Sequence, residues 1–187
     1  MKRHLGEENK KKVLLGITGS IAAYKAADIV RRLQDSGYQV VVVMTKGAEK
    51  FITPLTLASL SGTKVYRKMF DKKTSSWTNC HIKLAQEASV FLIAPATANT
   101  IGKLAQGIAD NLLLCTALAT KAKIVIAPAM NVEMYHNEIV QHNLSLLKKR
   151  GAIIIAPKKG KLACGTVGEG HLADVEDIVK EVLRLER

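Results

Sequence analysis

Five short aliphatic runs punctuate this chain: Val13 to Ile17, Gln39 to Met44, Val90 to Ala94, Lys123 to Ala127 and Ala152 to Ile155. Runs of Val, Ile and Leu without polar alternation are how strands read when both faces of their sheet are covered, and covered sheets are mostly parallel. Between the first two runs, Ile21, Ala26, Ile29, Val30 and Leu33 recur at helical spacing until Ser36-Gly37 ends the pattern. That is a βαβ unit. Its repetition predicts an α/β fold, a doubly wound parallel sheet of five strands, or six with Val65 contributing, covered by helices in a three-layer αβα sandwich. A length of 187 residues with 48% hydrophobic content suits one domain. We expect it to span residues 13–187, after a flexible basic leader at 1–12.

The net charge of +12 invites a nucleic-acid reading, but the excess is scattered. Lys10-Lys11-Lys12, Lys72-Lys73, Lys148-Lys149-Arg150 and Lys158-Lys159 are short clusters at termini and loops, without interleaved aromatics. Such clusters read as solvated surface and argue against nucleic acid. A phosphorylated small substrate would also be drawn to them. No apolar run approaches the roughly 20 residues that span a bilayer, so no membrane partner is expected. Cys80, Cys115 and Cys164 form no CxxC pair and no secretory pattern precedes Val13, which together predict a cytoplasmic protein.

In doubly wound sheets ligands sit beyond the carboxyl ends of the strands. The first run leads into Gly16-Ile17-Thr18-Gly19-Ser20, the second into Thr45-Lys46-Gly47, the third into Pro95-Ala96-Thr97-Ala98-Asn99-Thr100, and the fourth into Pro128-Ala129-Met130-Asn131. Small and hydroxyl-bearing residues therefore gather on one edge, either as a ligand cradle or as ordinary helix caps. The usual nucleotide signatures are missing. Gly16-Ile17-Thr18-Gly19 does not spell GxGxxG, Thr45-Lys46 replaces the acidic residue that holds an adenine ribose, and Gly19 to Lys25 fails the P-loop pattern. The five histidines share no metal-ligand spacing, so no metal is expected, and no GxSxG elbow offers a serine nucleophile.

Late in the chain, Leu162 to Ala173 places Cys164 in a glycine-rich stretch, between the last aliphatic run and a final helical pattern. A structural cysteine sits among apolar neighbours, whereas this one reads either as a thiol on a mobile loop long enough to close over a ligand or as part of a plain glycine-rich connection.

Several stretches taken together resemble the flavin-containing cysteine decarboxylases, from about Val13 to Leu183. They are Gly16-Ile17-Thr18-Gly19-Ser20-Ile21-Ala22-Ala23-Tyr24-Lys25, His81-Ile82-x-Leu84, Ala94-Pro95-Ala96-Thr97-Ala98-Asn99-Thr100, Ala109-Asp110-Asn111-Leu112, Pro128-Ala129-Met130-Asn131-x-x-Met134 and Ala163-Cys164-Gly165. The resemblance implies a Rossmann-like or flavodoxin-like flavoprotein that binds FMN. The reaction it implies is decarboxylation of 4'-phosphopantothenoylcysteine to 4'-phosphopantetheine in coenzyme A biosynthesis, through a thioaldehyde and an enethiol. It also implies roles. His81 would be the base beside the flavin, Asn131 would bind the departing carboxylate, and Cys164 would protonate the enethiol. Gly19, Ser20, Ile21, Thr45, Thr97, Ala98, Asn99, Thr100 and Ala129 would hold FMN, while Met134, Ala163, Gly165 and His171 would join Asn131 around the substrate.

Relatives that oxidise a peptide's terminal cysteine stop at the enethiol and lack the Cys-Gly pair found here at Cys164-Gly165. Two positions depart from the family pattern. His171 stands where arginine is common and Tyr135 where tryptophan often follows the methionine, which bears on substrate anchoring. Family members assemble as trimers or as dodecamers of trimers with FMN between subunits, and the ligase domain that follows in many bacterial versions is expected on a separate protein. Alternatives on the same fold are a peptidyl-cysteine oxidative decarboxylase, a flavin prenyltransferase and a non-catalytic flavoprotein regulatory subunit.

Overall fold

The computed structural model describes residues 11–70, 80–161 and 167–185. It opens with β1 (Lys12–Ile17), a 3₁₀ turn (Ile21–Lys25) and α1 (Ala26–Asp35). Next come β2 (Gln39–Met44), a second 3₁₀ turn (Ala48–Lys50), α2 (Pro54–Ser61) and the short β3 (Val65–Tyr66). α3 (Cys80–Glu87), β4 (Val90–Ala96), α4 (Ala98–Ala105), α5 (Leu112–Ala119) and β5 (Lys123–Pro128) follow. The remainder is α6 (Val132–His136), α7 (Glu138–Lys149), β6 (Ile153–Ile154), β7 (Lys158–Lys161), β8 (Val167–His171) and α8 (Val175–Arg184).

β1 to β6 form one parallel sheet in the order β3-β2-β1-β4-β5-β6, with Val13 level with Val40 on one side and Val90 on the other. The fold is the expected doubly wound sheet, and Val65 does contribute a sixth strand. Alternate side chains of β1 go to opposite layers. Val13, Leu15 and Ile17 pack with Ile29, Val30 and Leu33 of α1 and with Ile178 and Val182 of α8. Leu14 joins Phe91, Ile93, Leu104, Leu113 and Leu147 on the other side. Both faces are thus dry, which is why the strands carry no polar alternation. Gly16 lets α5 approach β1 closely, since a Cβ there would stand 2.9 Å from Leu113 Cδ1 and 3.0 Å from Phe91 Cε2.

Four details differ from the sequence reading. β1 starts at Lys12, inside the supposed leader, because Lys12 pairs with Gln39 and its ammonium lies 3.0 Å from Glu87. The first helical pattern begins as a 3₁₀ turn and becomes α-helical only at Ala26. β6 keeps only Ile153 and Ile154 of the run from Ala152 to Ile155. The glycine-rich stretch is not simply a loop: β7 and β8 pair antiparallel, Lys158 with His171 and Lys161 with Val167, as a ribbon apart from the main sheet. Residues 162–166, with Ala163, Cys164 and Gly165, lie outside the described residues, as do residues 1–10, 71–79 and 186–187. Among the described residues, no helix is long and apolar enough to cross a membrane.

Candidate functional site

The strand order reverses direction between β1 and β4, so the connections leaving these neighbours diverge and open a crevice at their carboxyl ends. Buried Thr18 ties the two strand ends together. Its hydroxyl donates to Pro95 O at 2.7 Å and accepts from Thr97 N–H at 3.0 Å. Beyond β2, the Gly47 backbone backs against Gly19, where an added Cβ would come within 3.1 Å of it. Two glycines at this contact let both loops approach the crevice together.

The crevice is a cavity of about 970 Å³, within the range of small-molecule and cofactor sites. All four polar strand ends reach it. Gly19, Ser20 and Ile21 line it after β1, Thr45 after β2, Thr97, Ala98, Asn99 and Thr100 after β4, and Ala129 and Asn131 after β5. Met134 from α6 and His171 from β8 line it as well, as expected from the sequence, while the expected Ala163, Cys164 and Gly165 lie outside the described residues. His81 does not line this cavity; it stands half-buried in the first turn of α3.

Capping and cavity lining prove to be the same residues. Ser20 Oγ accepts from Ala22 N–H at 3.3 Å and Thr97 Oγ1 from Thr100 N–H at 3.4 Å. Asn111 Oδ1 accepts from Leu114 N–H at 3.1 Å and Asn131 Oδ1 from Glu133 N–H at 2.8 Å. Each cap starts a helix at the sheet edge, so the opening N–H groups of α4, at Ala98 and Asn99, have no intrahelical acceptor. Small helix-capping side chains therefore leave a rim of donors around the cavity.

The contact set expected from the sequence left out Ala22, Tyr24, Lys25, Lys46, Gly47, Asp110, Asn111, Met130, Gly170 and Leu172. Lys25, Lys46, Asp110 and Asn111 follow strand or helix ends within the motifs already singled out, so a signal existed for them. Asp110 accepts hydrogen bonds from Lys103 and, at 2.9 Å, from Asn111 Nδ2. The Lys103 bond holds its carboxyl below the usual carboxylate value, against a smaller opposing effect of desolvation. Beside Met134, burial pushes the Tyr135 phenol up, while a hydrogen bond with Gln141 pulls the other way.

A family model described as Flavoprotein matches residues 1–186. A probable phosphopantothenoylcysteine decarboxylase of Streptococcus mutans is 49% identical over 174 residues, 92% of this chain and 97% of that protein. The coenzyme A biosynthesis bifunctional protein CoaBC of Bacillus subtilis is 46% identical over 92% of this chain, which spans 42% of that relative's length. Among solved structures, a cysteine-to-serine mutant of PPC decarboxylase complexed with pantothenoylaminoethenethiol matches with a TM-score of 0.84 and 34% identity, covering 96% of this chain and all of the other. The FMN binding protein AtHal3 matches with a TM-score of 0.80 at 34% identity, over 94% and 96% of the two chains.

Proposed function

This chain belongs to the flavoprotein family, and on that premise we propose that it converts 4'-phosphopantothenoylcysteine to 4'-phosphopantetheine with FMN as cofactor. The observation that carries the reading is the match, over nearly the whole chain, to a PPC decarboxylase holding an enethiol. The residues present fit the cofactor. Gly19 and Gly47 leave their loops bare of side chains at the switch point, and hydroxyls from Ser20, Thr45, Thr97 and Thr100 converge there. Lys25 and Lys46 bring positive charge, and the donors opening α4 suit an anion.

FMN, when bound, supplies a two-electron acceptor and donor, so that the cysteinyl carbon bearing sulfur can be oxidised before CO₂ leaves and reduced afterwards. His81 would take a proton in the oxidation. Asn131 would hold the carboxylate through its amide donors, which carry no counter-charge to stabilise it against leaving. Oxidation at the C–S end gives a thioaldehyde, and this accepts the electron pair released with CO₂. Cys164 would then deliver the proton that completes 4'-phosphopantetheine. His171, with Met134 of α6, would border the substrate where the hairpin meets the cavity.

We place the enzyme in the cytoplasm as a trimer or a dodecamer of trimers. His81 lies outside the cavity of its own chain, which fits an assembly that presents it to a neighbour's flavin. The ligase that supplies the substrate would be a separate protein, or a partner domain as in the bifunctional relatives.

The test is an absorbance spectrum of the purified protein, followed by mass analysis after incubation with 4'-phosphopantothenoylcysteine, for the native chain and Cys164→Ser. A yellow protein that makes 4'-phosphopantetheine is expected, with the variant stalling at the enethiol, lighter than the product by two hydrogens. A yellow protein inert toward this substrate would shift the reading to peptide oxidation, prenyl transfer or a regulatory subunit. A colourless chain that cannot be loaded with FMN would overturn it.

A further inference from the structure

β8 is bonded to the segment that carries Asn131. Met130 N–H donates to Gly170 O at 3.0 Å, joining the ribbon to the connection between β5 and α6. The contact is too close for side chains. A Cβ on Gly168 would stand 2.7 Å from Val132 Cγ2 and 3.0 Å from Val132 Cβ. One on Gly170 would overlap Met130 O, and Gly170 also holds φ at +141°, a conformation that strains any residue with a Cβ. Farther along α6, His136 Nε2 lies 3.6 Å from Glu169 Oε2, so the same strand meets the helix at its other end.

Asn131 sits between the two residues that touch these glycines. Its Oδ1 accepts from the Glu133 N–H, and recognition of a carboxylate needs the donors of its Nδ2 end. The direction of that end follows from the backbone of residues 130–132, and this backbone rests on β8.

We propose that Gly168 and Gly170 are positioning residues for Asn131, acting by admitting β8 to a contact with Met130 and Val132 that no side chain would permit. The inference rests on the decarboxylase reading, which gives Asn131 the departing carboxylate. It adds that the ribbon sets the angle of the carboxylate-binding amide. Packing glycines in the core would cost stability without regard to ligand. These two face the flanks of a single binding residue, so their loss should discriminate between ligands with and without a carboxylate.

The experiment compares FMN-loaded wild type with Gly168→Ala, Gly170→Ala, Val132→Ala and the two double variants with Val132→Ala. Turnover of 4'-phosphopantothenoylcysteine is measured beside the affinity for 4'-phosphopantetheine, the same molecule without its carboxylate. In Gly168→Ala we expect kcat/KM to fall about a hundredfold, the scale of an ångström's misplacement. Flavin content and product affinity should stay within about twofold of wild type. Adding Val132→Ala removes Cγ2, the nearest atom that the new Cβ meets, and Cγ1 with it, and should restore kcat/KM by about tenfold or more. It should not restore Gly170→Ala, whose obstacle is a backbone oxygen. Equal losses for substrate and product, no rescue by Val132→Ala, or a Gly168→Ala enzyme as active as wild type would each overturn the proposal. An inactive wild type would instead defeat the decarboxylase reading and this inference with it.

Discussion

In the proposed reading Asn131 has two duties, which different substitutions separate. As the cap of α6 it needs only an oxygen that accepts from Glu133 N–H, whereas binding a carboxylate needs the amide donors. Asn131→Asp keeps the cap and places a negative charge against the substrate. Asn131→Ala loses both. We expect Asn131→Asp to unfold at wild-type denaturant concentrations while kcat/KM drops about 10- to 100-fold, the worth of a hydrogen bond to a charged group. Asn131→Ala should lose activity and also about 1 kcal/mol of stability in the same urea titration. An active Asn131→Asp enzyme would leave the residue as a cap alone. This double use explains how far the site was legible in the sequence. Ser20, Thr97 and Asn131 could be placed at helix starts on one edge because caps and ligand-binding groups use the same short polar side chains. Thr18 could not be read in this way, because its partners Pro95 and Thr97 come from another strand and only the fold brings them together. Gly170 was equally opaque, since what it meets, Met130 O, is set by the tertiary path of β8.

Among the elements, the inner parallel strands β1, β2, β4 and β5 were legible because they are mostly buried on both faces and so leave continuous aliphatic runs. The β7–β8 ribbon was not. Lys158-Lys159-Gly160-Lys161 has no apolar pattern, and the pairing owes nothing to a hydrophobic face. Beside the Met130–Gly170 hydrogen bond, charge anchors its base: Lys158 Nζ pairs with Asp174 and lies 3.5 Å from Asp177, at the start of α8. The hydrogen bond from Lys158 holds the Asp174 carboxyl below its ordinary value, and the same bond raises Lys158 above its own. A depressed carboxyl contributes stability that is present above its unfolded value and lost as pH falls through the folded one. A raised ammonium contributes below its ordinary value and loses that contribution as pH rises through the folded one. The anchor should therefore hold across the neutral range and release on the acid side below the ordinary carboxylate value, or in strong alkali. Amide exchange in Lys158–Lys161, referenced to β4 in the same sample, should accelerate below about pH 4. Lys158→Met should show fast exchange at every pH. Equal protection of the ribbon in the variant would mean that its contacts with α6, and not this ion pair, hold it.

At the scale of the whole molecule, the cavity has an apolar rim that a single chain leaves in water. Ile21, Tyr24 and Met134 line the site and yet are 57%, 59% and 49% exposed. The proposed assembly would cover them, so Tyr24→Glu is expected to sediment as a 20.3 kDa chain and to lose its flavin in the same step. A monomer that keeps its flavin would separate the rim from the cofactor site. The net charge of +12 sets the closing prediction, because it acts with opposite sign on two processes. Like charges on neighbouring chains oppose association, while the same field, with Lys25 and Lys46 at the cavity, attracts a substrate bearing phosphate and carboxylate. The screening length shrinks from about 30 Å at 0.01 M salt to about 8 Å at 0.15 M, which weakens the repulsion and the attraction together. Apolar burial at the rim is not screened and keeps its strength. Raising salt through that range should therefore lower the subunit dissociation constant, read by sedimentation, and raise KM for 4'-phosphopantothenoylcysteine in the same buffers. A KM that stays flat while association tightens would assign the basic surface to something other than this substrate, because the field around the chain would then be failing to reach the cavity.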